Sequence, residues 1–124
     1  MTAESGARTS QYREPKIESV AELTSARLRA SCANPAPPQV IADTRHPDLL
    51  KAMWLAERGH WEAAHTLAQE DDSETGAWVH AYLHRVEGDL DNAGYWYGRA
   101  GRRRCDSELE LEWEEIVDAL IGQA

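Results

Sequence analysis

From residue 47 onward, apolar residues recur at helical intervals, broken by short polar turns. Leu49, Leu50, Met53, Trp54 and Ala56 form one face that runs to Gly59. Pro47 suits the first turn of that helix, where its missing amide donor is not needed. A second helix is predicted from about Trp61 to Glu70, with Ala64, Leu67 and Ala68 inward. Asp71-Asp72-Ser73 then makes a turn and supplies an N-cap. Trp78, Val79, Tyr82, Leu83 and Val86 give a third helix that stops at Gly88, a C-terminal glycine. Asp89 caps a fourth, whose inward set is Leu90, Ala93, Tyr97 and Ala100. Ser107 and Glu110 have capping-box spacing. They open a last helix that carries Leu109, Trp113, Ile116, Val117 and Leu120 and is strongly acidic on its other faces.

The earlier part of the chain is patterned more weakly. Residues 1–16 are polar, and a short helix fits Ile17–Ser31 through Ile17, Val20, Ala21, Leu23 and Leu28. Asn34-Pro35-Ala36-Pro37-Pro38 ends any helix, because proline lacks the amide donor and biases its predecessor to extended geometry. The pattern therefore divides the chain into a loosely ordered arm, 1–44, with a Pro-rich linker, and a helical domain, 45–124. The fold class is all-α: about five helices as two stacked helical hairpins plus a C-terminal capping helix.

The hairpins are related by an internal repeat. Placing Gly59 over Gly88 sets Leu50 over Val79, Met53 over Tyr82, Trp54 over Leu83, Ala64 over Ala93 and Leu67 over Trp96, an offset of 29 residues. The Gly88-Asp89 turn followed by Ala93, Tyr97 and Ala100 resembles the second half of a tetratricopeptide repeat, over roughly residues 48–101. The offset is shorter than that family's usual 34 or so residues, and its closing proline is absent. The resemblance implies stacked hairpins that dock a protein or peptide. The string HAYLHRVEGDLDNAGYWY also resembles a short family of uncharacterised bacterial proteins, which implies no activity.

Charge narrows the partners. Thirteen Lys and Arg against 22 Asp and Glu give a net charge of −9, which opposes nucleic-acid binding, since that affinity comes mainly from neutralising phosphates. The basic group Arg99 and Arg102–Arg104 reads as cations at a helix C-terminus, followed directly by the acidic run Glu108–Glu115. No window is apolar enough for a membrane span, and the polar N-terminus lacks the apolar core of a secretory signal. A cytoplasmic protein with Cys32 and Cys105 as free thiols is expected. Phe is absent, so five Trp and four Tyr supply the aromatic volume. Their N–H and O–H groups require a core with a polar fringe.

The candidate chemistry sits on the third helix. His80 and His84 are four residues apart, so both imidazoles leave one face about 6 Å apart, with Glu87 on the same stripe. This stripe lies roughly a right angle from the apolar one. If the flanking helices run antiparallel, His65 lies about as far before the Asp71–Ser73 turn as His80 lies after it. His65, His80 and His84 would then converge with Glu62 and Glu87 at the edges, while His60, in the turn after Gly59, falls short. Gly94, Gly98 and Gly101 share a face of the fourth helix, which implies close approach of another backbone, the last helix or a partner chain, or else of a ligand; helix packing is the favoured reading. Tyr95 and Trp96 point away from it, and at least one should be exposed. No phosphate loop, GxSxG elbow or paired nucleophile and base is present, and the acidic Glu70–Glu74 turn lacks the EF-hand pattern.

Two functional readings follow. The first is an interaction module without enzymatic activity or cofactor, docking a protein or peptide on His80, His84, Glu87, Tyr95 and Trp96. Its small buried area leaves room for a homodimer. The alternative is a small metal-binding protein or metal-dependent enzyme using His65, His80, His84 and Glu87 on zinc or another divalent transition metal. An HxxxH pair is also an ordinary feature of packed helices, so the spacing leaves both open.

Overall fold

Turn chemistry sets the helix boundaries. The computed structural model describes residues 16–122. All the α-helical and 3-10 segments are short to medium: α1 (Ser25–Ala30), α2 (Pro47–Glu57), α3 (Trp61–Gln69), α4 (Glu74–Glu87), α5 (Leu90–Arg99) and α6 (Leu109–Gly122), with 3-10 turns at Val20–Glu22, Ser31–Ala33 and Gln39–Asp43. No strand occurs among the described residues. Side chains of Thr24, Ser73 and Asp89 accept from the amides of Arg27, Gly76 and Asn92 and so cap α1, α4 and α5. Helices α2, α4 and α5 each end on a glycine at positive φ: Gly59, Gly88 and Gly101. Each ending has the same pair of bonds, with the next amide reaching back five residues, as His60 N–H does to Leu55 O, Asp89 to His84 and Arg102 to Tyr97.

One of these endings revises the sequence reading. Gly101 lies beyond α5 rather than within it, and Gly98 faces open space. A Cβ at Gly94 would collide with the Arg104 guanidinium, so what lies closest over that glycine is a side chain. Helix α6 starts one residue later than the Ser107–Glu110 spacing predicts, with Glu108 as the first carbonyl acceptor. Ser107 is occupied elsewhere: its carbonyl accepts from Arg85, and its hydroxyl pairs with Cys105 Sγ.

Helix α2 pairs with α3 and α4 with α5, and α4 also packs on α2 and α3. Helix α6 lies against α2, α4 and α1, so it covers the face that the two leading helices share. Its Trp113, Ile116, Val117 and Leu120 are fully buried, and the Trp113 indole donates to Met53 O at 2.9 Å. The same helix carries the polar fringe that so much Trp and Tyr demanded. Glu112, 1% exposed, accepts from Trp78 Nε1 at 3.1 Å, Tyr97 Oη at 2.6 Å and Arg85 Nη1 at 2.7 Å. Burial, together with the bond to Glu112, holds the Tyr97 hydroxyl above the ordinary phenol range.

The segment before Pro47 is more tightly held than an arm. Leu23, Leu28, Val40 and Ile41 are buried in the same core as α2 and α6. Trp54 Nε1 donates to Ser31 Oγ, Arg58 reaches the carbonyls of Cys32 and Asn34, and Arg29 pairs with Glu57 and Glu114. The Pro-rich run delivers the turn that presents Val40 and Ile41. Residues 1–15 of the expected arm lie outside the described residues. Both cysteines are free, and burial pushes the Cys32 thiol up to about 11. Val86 and Leu90, predicted inward, are 39% and 57% exposed. They flank the Gly88 turn, in the last turn of α4 and the first of α5.

Candidate functional site

The turn between α3 and α4 decides where the histidines meet. Asp71 Oδ1 accepts from Ser73 N–H at 2.9 Å, and Ser73 caps α4. Gly76 lets α4 start close under this turn, since a Cβ there would stand 2.5 Å from Asp71 O. The sequence reading missed this glycine. Its signal was a glycine in the first turn of a helix, where propensity gives no reason for it. With the turn so short, His65 in the middle of α3 faces His80 and His84 on α4.

The three rings form a triangle. Their centroids are 4.6 Å apart for His65 and His80, 5.2 Å for His65 and His84, and 4.9 Å for His80 and His84. One nitrogen from each ring falls within 4.8 Å of the others. His65 Nε2 and His80 Nε2 are 2.9 Å apart and share a hydrogen bond in which one ring donates and the other accepts. At His84, Nδ1–H donates to Glu87 Oε2 at 2.7 Å, which leaves Nε2 as that ring's uncommitted nitrogen.

Two indoles wall the triangle. Trp61 stacks on His65 with centroids 4.7 Å apart and planes within 13°, and its N–H is anchored on Leu83 O at 2.6 Å. Trp96 stacks on His80 at 3.9 Å and 16°. His80 and His84 are thereby only 4% and 5% exposed, and His65 is half-buried. The polar stripe is thus not a solvated face a right angle from the core. The neighbouring hairpin and Trp96 cover it. Trp61 was read only as a helix start, although its place four residues before His65 puts both rings on one face.

Burial and the other two imidazoles push the His80 ring down to about 4, and burial with the His84 charge lowers His65 from its ordinary 6.5. At neutral pH both rings are uncharged, which is the form that ligates metals. Around a tetrahedral zinc ion with Zn–N near 2.0–2.1 Å, ligand nitrogens stand about 3.3 Å apart. The His65–His80 pair would open by about half an ångström to hold such an ion.

The remaining predicted residues are distributed around this group. Glu87 does not join the triangle. It groups with His84 Nδ1 and Asp89, as a support to the ring. Glu62 also stays outside it, and His60 is the residue before α3. Tyr95 is 56% exposed, stands edge-on to Trp96, and accepts from Arg99 Nη1 at 3.0 Å. Two surface cavities, of about 1050 and 370 Å³, lie elsewhere. One runs between the Pro37–Asp43 stretch and the start of α2, the other beside Trp78 and Arg102. Neither is lined by a residue of the triangle. Comparison of the chain with protein-family models, curated proteins and solved structures finds no match.

Proposed function

We propose that this protein binds one divalent transition-metal ion through His65, His80 and His84. The observation that carries the reading is the convergence of three ring nitrogens within 4.8 Å from two helices of different hairpins. Imidazole sets of this kind suit zinc, copper, nickel and iron, with nickel and copper favoured by intrinsic affinity and zinc by tetrahedral geometry. Glu87 supports it by orienting His84, as outer carboxylates do for metal-bound imidazoles. The ion ties α3 to α4, and through His80 and Trp96 to α5, so binding and packing of the hairpins are linked.

The test is uptake of zinc by tag-free, metal-stripped protein, read by plasma mass spectrometry after dialysis. One equivalent is expected, lost in His65→Ala and in the His80→Ala/His84→Ala variant while their circular dichroism stays helical. Wild-type protein that takes up no zinc, cobalt, nickel or copper overturns the reading.

A second reading, a tetratricopeptide-like module that docks a protein or peptide, draws support from Leu90 and Tyr95, exposed large side chains of α5. Stacked helix pairs usually bind on the concave face of their leading helices. Because α6 occupies that face here, a partner would dock on α5 instead.

A further inference from the structure

We infer that the metal site takes its fourth ligand from solvent and that this ligand is a small anion, hydroxide by default. The inference rests on the metal-binding reading above and concerns what the bound ion can exchange.

Three features point the same way. The first is ligand count. Among the described residues the group within 4.8 Å holds three imidazoles, and no carboxylate or thiol belongs to it. Glu87 Oε2 is held by His84 Nδ1, and reaching the ion would require it to abandon that bond. Three protein ligands with a free position define the open class of zinc site, as against the closed four-ligand class.

Charge is the second. Neutral imidazoles leave the full +2 of the ion in a site where two of the three ligands are 4–5% exposed. An uncompensated buried charge is costly, so an anionic fourth ligand is favoured over neutral water or a neutral organic group. The third feature is size. Trp61 and Trp96 lie flat on His65 and His80, and His80 and His84 are 4–5% exposed, so an extended substrate would have to displace an indole to reach the ion. Entry is over His65, the ring left half-buried.

Cobalt(II) in place of zinc makes this visible, because its absorption reports coordination number and ligand exchange. Cobalt-loaded protein is titrated with sodium azide, alongside Glu87→Gln and Glu62→Gln proteins. The expected result is a saturable change in the cobalt bands at one azide per cobalt in all three. Glu87→Gln should bind cobalt about 10–100-fold more weakly, as loss of an outer-shell partner does, yet keep the azide response. Cobalt that binds at one equivalent but ignores azide overturns the inference and leaves the metal reading standing. A response that appears only in Glu87→Gln or Glu62→Gln also overturns it, by identifying that carboxylate as a fourth protein ligand. Wild-type protein that takes up no cobalt, zinc, nickel or copper removes both.

Discussion

Acidifying the metal-free protein should destabilise it through His80. Folded His80 resists protonation down to about 4, whereas in the unfolded chain an ordinary histidine takes its proton near 6.5. Between those values the unfolded state binds more protons, so stability falls as the pH falls. The contribution is complete above about 6.5 and gone near 4. That gap amounts to about 3 kcal/mol, trimmed to roughly 2–3 kcal/mol because a half-buried His65 leaves the cluster some solvent screening. His65 is displaced in the same direction and adds to the slope. For a domain of this size the loss is roughly 10 °C in Tm. Thermal melts at constant ionic strength, with chelator present, from about pH 7.5 to about pH 4 would measure it. His80→Gln is the comparison: carboxylate titrations common to both proteins cancel in the difference. Parallel curves for wild type and His80→Gln, or a flat wild-type curve between about 6.5 and 4.5, would refute the reasoning.

Leu28→Ala should cost about 2–5 kcal/mol in urea denaturation, since Leu28 is fully buried between the N-terminal segment and the helices; an unaffected midpoint would mean that the segment is not docked. Glu112→Ala should cost about 3–5 kcal/mol, because it strands the Arg85 charge with the Trp78 and Tyr97 donors, and Glu112→Gln should cost less. Two glycine changes should have opposite signs in thermal melts. Gly98→Ala, in open space on a helix, should gain about 0.5–1 kcal/mol, while Gly88→Ala, at φ +88°, should lose more than about 1 kcal/mol.

The periodic part of the chain was legible because local signals agreed there. From Pro47 on, cap residues, terminal glycines and apolar spacing all point to the same helices, and the boundaries follow to within a residue or two. The meeting of His65 with His80 and His84 was readable for the same reason, since it needs only a short turn between two helices. Burial of that group was not readable. It depends on Trp61 and Trp96, and Trp96 comes from the next helix, which periodicity within α4 cannot reveal. The packing of Leu23, Leu28, Val40 and Ile41 was hidden too. These residues are scattered among prolines and 3-10 turns, so no single period collects them, and only α2 and α6 give them a common surface. Gly94 misled for a different reason: a long flexible side chain, Arg104, fills the space that a backbone was expected to occupy.

Three imidazoles turned toward one point pose a problem of protons. Each neutral ring has one N–H and one lone pair. His84 commits its Nδ1 proton to Glu87, and as a ligand it would offer the Nε2 lone pair. His65 and His80 settle one proton between their Nε2 atoms, one donating and the other accepting, and that single N–H cannot serve both His80 or His65 and the third ring well. Taken as packing alone, the arrangement is poor, since apolar side chains between Trp61 and Trp96 would fill the space without desolvating polar nitrogens. An ion resolves it. With the His65 and His80 protons on Nδ1, three lone pairs converge on one acceptor of charge, and no proton need be shared. Sites where local rules are broken under tight packing are where function is expected, and the metal ion proposed above is a ligand that would relieve the breach.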